Sequence, residues 1–185
     1  MKCRFIALLG ILLLFAGCAT HNTSSDGTDS NLMLKGHDPV AYHTQGKPVP
    51  GLSDIKTEHE GVTYRFASTQ NRDLFTKDPD KYKPQFNGFC SNGMVYAIPL
   101  GGNHDTFRII DGKLYMFGGE GSRKYFEMDL DRNMKLATDY WNNEVKGGSA
   151  RLQAWKRLMF KVPHYKTNRE LAAEYEARQG KGGNK

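Results

Sequence analysis

Residues 61–77 read GVTYRFASTQNRDLFTK, and a change of period inside them decides the fold class. Val62, Tyr64 and Phe66 alternate with Thr63, Arg65 and Ala67, the period of two expected of a strand with one buried face. Ser68 follows with a hydroxyl suited to capping free backbone N–H groups, so a helix is expected over residues 69–77, with Leu74 and Phe75 towards the core. Asp78-Pro79 repeats the device on a smaller scale, with Asp as cap and Pro at a first helical position whose N–H has no partner in any case. Further on, Asp111-Gly112 interrupts DTFRIIDGKLYMF (105–117) between Phe107, Ile109, Leu114 and Tyr115, which predicts a hairpin with a two-residue turn. Ser122 is expected to open a helix containing Tyr125 and Phe126. The segment MKLATDYWNNE (134–144) continues with Leu136, Ala137, Tyr140 and Trp141 at helical spacing. Strands and helices of this kind, without an internal repeat, predict one small α+β domain over residues 32–145.

The chain ahead of that domain reads MKCRFIALLGILLLFAGCAT (1–20). Lys2 and Arg4 precede an apolar run from Phe5 to Phe15, too short to span a bilayer, and the small residues Ala16 and Gly17 precede Cys18. The ending resembles the bacterial lipobox, with Phe15 where Leu is usual. That resemblance implies a signal peptide over 1–17, cleavage before Cys18, and a Cys18 carrying acyl chains such as palmitate. Several chains together anchor firmly, at roughly 0.8 kcal/mol per buried CH₂. Residues 18–31 include THNTSSDGTDS (20–30), without a large apolar residue, and are expected to be a flexible tether holding the domain about 20 Å off the bilayer. Ala19 after the lipid-bearing cysteine favours the outer membrane, facing the periplasm.

Cys3 leaves with the signal and Cys18 takes lipid, so Cys90 has no partner for a disulfide. The fold must then stand on its core. Cys90 sits in PQFNGFCSNGM (84–94), among aromatics and glycines.

Three segments carry a family resemblance: GHDPVAYHTQGKPVPG (36–51), GVTYRFASTQNRDLFTKDPDKYKPQFNGFC (61–90) and IIDGKLY (109–115). In order and spacing they resemble the stand-alone YHS-domain family of exported bacterial proteins, from about Lys35 to Trp141. The resemblance implies a YHS-type domain and association with a soft heavy metal, Cu(I) or Zn(II), at the family's cysteine position, which Cys90 occupies. Its thiolate suits such ions, and Met94 offers a thioether four residues on. One cysteine alone is not a site, so further donors are sought at His37 and His43, on either side of Asp38-Pro39-Val40-Ala41-Tyr42, and at His104. His37 and His43 stand where the family commonly has aromatic residues. Cys90 has two other readings: a small buried hydrophobe among Phe86, Phe89 and Tyr96, or a reactive thiol.

Other chemistries fail on their spacing. There is no Cys-x-x-Cys or His-x-x-x-His pair. Asp129, Asp131 and Asn133 begin like a calcium loop, but Met134 replaces its glycine and Tyr140 its closing glutamate. The glycines at 101–102 and 118–121 follow no phosphate-binding pattern, and no Ser/His/Asp or paired-carboxylate set stands out, so no enzyme activity is expected. Asp38 and Asn71-Arg72-Asp73 are better read as turn and helix-cap chemistry.

The last region, residues 146–185, is basic, with ten Lys or Arg against three Glu, whereas residues 19–145 carry fourteen basic and seventeen acidic groups. Gly147-Gly148-Ser149 breaks the chain ahead of ARLQAWKRLMFKV (150–162), where Leu152, Trp155, Leu158, Met159 and Val162 recur at helical spacing among Arg151, Lys156, Arg157 and Lys161. A second helix over RELAAEYEARQ (169–179), capped by Asn168 and ended by Gly180, completes a C-terminal helical extension. The apolar stripe is expected to pack on the domain, to lie on an anionic surface, or to meet an envelope protein. Nucleic acid is not an expected partner of an exported, membrane-tethered chain.

Overall fold

The computed structural model describes residues 20–182, with side chains to residue 180; the signal segment 1–17 and the lipidation residue Cys18 lie outside the described residues. Strands β1 (Thr23–Ser24), β2 (Leu32–Met33), β3 (Leu52–His59) and β4 (Val62–Phe66) form one sheet in the order β1-β2-β4-β3. The β2–β4 pair is parallel and the other two are antiparallel. Helix α1 (Pro39–Thr44) lies between β2 and β3 in the chain, and α2 (Thr69–Lys77) and α3 (Pro79–Tyr82) follow β4. Ser68 caps α2 by accepting from the Asn71 N–H at 3.2 Å, and Asp78 caps α3 by accepting from Lys81 N–H, as expected. Phe75 is fully buried, but its neighbour Leu74 is exposed, because only one of two adjacent helical residues here faces the sheet.

Strand β4 is buried on both faces rather than one. Val62, Tyr64 and Phe66 enter the first core. The other face is covered by residues expected to be tether: Asp29 receives Arg65 Nε at 2.9 Å, Arg65 Nη2 at 2.5 Å and Lys56 Nζ at 2.5 Å, while Asp26 lies 2.6 Å from Arg65 Nη1. Asn22 fastens the same segment further along, its amide donating to the carbonyls of Gly88 at 2.9 Å and Gly102 at 3.0 Å. The expectation of a loose tether through 31 is thereby corrected for residues 20–31, whose polar side chains bond to the domain instead of to water.

Beyond α4 (Ser91–Met94), strands β5 (Asn103–Ile110) and β6 (Lys113–Phe117) make the expected hairpin. Asp111 and Gly112 both adopt positive φ, 48° and 71°, the left-handed pair that a two-residue turn between twisted strands requires. Helices α5 (Glu120–Glu127) and α6 (Leu130–Tyr140) follow, then a π-helical turn over Trp141–Val145. Helix α5 starts two residues ahead of Ser122. Glu120 in its first turn suits the positive end of the helix and pairs with Arg123 at 2.6 Å, which also reaches Glu127 at 3.0 Å.

Two cores result, and β6 joins them. Its side chains alternate, so that Leu114 and Met116 belong to the core built on β4, α1 and α2, while Phe117 and Tyr115 belong to a second core with Phe89, Met94, Phe126 and Ala137. The C-terminal extension, helices α7 (Ala150–Met159) and α8 (Asn168–Gly182), is part of that second core through Ala150, Val162 and Leu171. Gln153 donates to Ala97 O at 3.2 Å, His164 Nε2 to Val95 O at 2.8 Å, and Arg178 to Met128 O at 2.7 Å. Residues 146–180 are therefore no detached tail. The stripe expected to make this contact faces solvent instead: Leu152, Trp155, Leu158 and Met159 are 60–70% exposed, and only Val162 is buried. The helix docks by its small and polar side, because Gln153 satisfies a buried carbonyl that no apolar residue could. Thr167, not Asn168, caps α8, its hydroxyl receiving Glu170 N–H while Glu170 Oε2 accepts from Thr167 N–H at 2.7 Å, and the helix runs on through Gly180.

Candidate functional site

The histidines at either end of α1 are placed by one buried carboxylate. Asp38 is fully enclosed at the start of α1; its Oδ1 accepts from Val40 N–H at 2.8 Å and Ala41 N–H at 3.3 Å. Its Oδ2 accepts from Ala67 N–H at 2.9 Å and from the Asn71 amide at 2.6 Å. The carboxylate thus fastens α1, the end of β4 and the first turn of α2 to one another, and every contact is structural. The cap reading of Asp38 and Asn71 holds.

His37 and His43 leave α1 at opposite ends and meet different neighbours. His37 Nδ1 donates to Leu34 O at 3.0 Å, and its ring stacks on His104 with centroids 4.2 Å apart. Tyr42 fixes the strand carrying His104 by donating to the His104 carbonyl at 2.8 Å. His43 instead meets the Tyr82 ring edge-on at 5.2 Å, and its Nε2 is buried without a hydrogen-bond partner. Burial holds the His43 pKa below the ordinary imidazole value, with Lys81 and Lys113 adding to the effect. Burial and then the neighbouring His37 lower that of His104. These surroundings disfavour positive charge at both rings.

Cys90 lies in the seam between the two cores. Its backbone pairs with Met116 of β6, its N–H donates to Leu100 O at 2.8 Å, and Ser91 Oγ donates to Met116 O at 3.0 Å. The side chain is 3% exposed, and the thiol sulfur accepts from Gly118 N–H at 3.2 Å. Just before it, Phe86 and Asn87 both hold left-handed backbone conformations, a strain offset by Asn87, whose amide donates to Thr20 O at 2.8 Å and whose carbonyl accepts from Asn22 N–H at 2.9 Å. Met94 follows one short turn after Cys90, but its side chain is fully buried in the second core. The four sequence-derived donors Cys90, Met94, His37 and His43 thus fall into separate surroundings. Among the described residues, no group of three or more His, Cys, Asp or Glu side chains could hold a metal ion.

Residues 40–86 match the family model of the YHS domain. This chain carries a YHS domain. The match runs from α1 to the turn at Phe86, takes in the part of the first core between Val40 and Tyr82, and stops short of Cys90. No curated protein and no solved structure matches the chain. YHS domains are associated with metal binding in general. The surroundings of two of the donors sought here do not fit a metal: the Cys90 thiol, beyond the matched segment, is enclosed and already hydrogen-bonded, and the orphaned His43 nitrogen faces an environment containing two lysines.

Two other features were not singled out from the sequence. Asp26 and Asp29 sit in a polar run that looks like linker, although Arg65 on a strand was a signal that carboxylates had to come from somewhere. A cleft of about 700 Å³ is lined by Thr20, His21, Phe86, Trp141, Lys146 and Gly147 among others, and so brings the start of the described chain beside the root of α7.

Proposed function

We propose that the protein is a lipid-anchored component of the bacterial cell envelope whose YHS domain works as a non-catalytic interaction module, with Cys90 as a core residue. The observation that carries this reading is the enclosure of the Cys90 thiol, whose sulfur already accepts from Gly118 N–H. A Cu(I) or Zn(II) site on Cys90 needs at least a second donor, and His37 bonds to Leu34 O, Met94 is packed in the second core, and His43 lies against Tyr82 in separate surroundings. The lipobox-like ending before Cys18 supports the anchor and, with Ala19, the outer membrane. Two measurements test the reading. The mature N-terminus should carry acyl chains by mass spectrometry, and an unmodified Cys18 would remove the anchor. In the folded protein Cys90 should resist a thiol reagent until the chain unfolds; prompt labelling under native conditions would reinstate it as a working thiol.

A further inference from the structure

Helix α7 presents its apolar side to solvent, and the pattern is regular. At about 100° per residue, Leu158, Arg151, Trp155, Met159 and Leu152 fall on one side of the helix, while Ala150, Gln153 and Arg157 fall on the other and face the domain. Phe160, just past the helix end, is 68% exposed as well. Five large apolar side chains exposed together on one element form the kind of patch that marks an interaction surface.

The charge around the patch says what covers it. From residue 145 to residue 169 the chain has no Asp or Glu, but it has Lys146, Arg151, Lys156, Arg157, Lys161, Lys166 and Arg169. Glu144 takes up Lys156 and Arg157, so these two are partly neutralised. Among the described residues, Lys146, Arg151 and Lys161 form no salt bridge and remain to meet an anion. An apolar stripe with Trp and Leu at its centre and cations at its margins is the pattern of a helix lying in a membrane interface, where the ring and alkyl groups enter the headgroup boundary and each cation near an anionic surface contributes to binding.

Position gives a second, independent argument. Thr20 lines the same cleft as Lys146 and Gly147, three residues before α7 begins at Ala150. Residues 20–31 are bonded to the domain, so only Cys18 and Ala19 separate a lipid on Cys18 from the folded body, a reach of at most about 7 Å. The anchor and the root of α7 therefore lie at the same end of the molecule.

We infer that the outward face of α7 is a docking surface for an anionic phospholipid bilayer, which holds the domain flush against the membrane rather than at the end of a tether. The inference deepens the interaction-module reading and rests on it for placing the protein beside a bilayer, but its test needs no lipid on the protein. The mature chain from residue 18 with Cys18→Ser, which contains all the described residues, is mixed with vesicles of phosphatidylglycerol and phosphatidylcholine in equal parts, and with vesicles of phosphatidylcholine alone. Binding to the anionic vesicles with a blue shift of Trp155 emission is expected, weakened by salt and at least about tenfold weaker on the neutral vesicles. Trp155→Ser with Leu158→Ser should lower anionic-vesicle binding by a similar factor while leaving the thermal unfolding midpoint in place, since both side chains are exposed. Absence of binding to anionic vesicles, or equal binding by the double variant, would overturn the inference. So would concentration-dependent dimerisation without vesicles that the double variant abolishes, because the face would then belong to a second copy. Failure of the lipid anchor would show in the mass of the native N-terminus and not in this experiment.

Discussion

The segment around Asp38 and Cys90 and the helix α7 use conspicuous residues in opposite ways. In the first, residue types that suggest chemistry, a buried carboxylate, a lone thiol and two histidines, are consumed by structure: Asp38 satisfies four donors, Cys90 accepts from Gly118, and His37 and His43 rest against other rings. In the second, residues that suggest a core are turned to solvent, while an amide and small side chains hold the helix down. A motif shows where a fold places its constraints; it does not by itself show where the fold meets its surroundings. Here the region with the family signature supplies the body, and a helix outside the matched residues supplies the exposed face.

The contrast breaks most visibly if the extension is removed. A chain ending at residue 146 loses Ala150, Val162 and Leu171 from the second core together with the bonds of Gln153 and His164. It should lose its cooperative unfolding transition by circular dichroism, as burial of two large apolar side chains alone stabilises by about 3–6 kcal/mol. A truncated chain that melts like the parent would make the extension an appendage after all. Next in size is Asp38→Ala, which leaves buried N–H groups of α1, Ala67 and Asn71 without acceptors and should lower stability by roughly 3–5 kcal/mol in urea. A loss under about 1 kcal/mol would mean that water or another acceptor takes its place.

A smaller effect is expected with pH. His21, His43 and His104 all have pKa values lowered chiefly by burial, so near their ordinary value of 6.5 the unfolded chain binds protons that the folded chain does not. Their contribution is therefore full above that pH and is lost as the pH falls below it towards the folded-state values. The unfolding midpoint should decline between pH 7 and pH 5 by calorimetry, and a flat profile would show that the rings are open to water. A second loss should follow in strong acid. Asp26 is held down to about 2, first by the Asp29 backbone N–H and then by Arg65, so its contribution is present above the ordinary carboxylate range and disappears as the pH falls through about 2. Smallest of all is the stability effect of Trp155→Ser with Leu158→Ser, within about 0.5 kcal/mol in the absence of lipid. A larger fall would place these side chains in the core.

Local signals in the sequence were readable where the physics is local. The strand at β4, the caps at Ser68 and Asp78 and the Asp111-Gly112 turn depend on residues a few positions apart, and each appears as expected, although β4 is buried on both faces and not on one. What was not legible depends on partners far along the chain. Arg65 looks like the solvent face of a strand until Asp26 and Asp29 cover it, and the stripe of α7 looks like core until Ala97 O claims Gln153. The separation of the sought donors has the same origin. Cys90, His37 and His43 are close to one another in kind, but which neighbours each meets is decided by β6 and by the rings of His104 and Tyr82.

The central claim, that Cys90 is structural, is tested most directly by comparing two proteins, the mature Cys18→Ser chain with and without Cys90→Ser, in a Cu(I) titration and in urea unfolding. The account predicts no stoichiometric Cu(I) binding by either folded protein that depends on Cys90, together with a loss of roughly 1–3 kcal/mol in the variant, whose hydroxyl is enclosed where a thiol sat. Tight one-to-one Cu(I) binding by the folded parent, abolished by Cys90→Ser with stability unchanged, would contradict it.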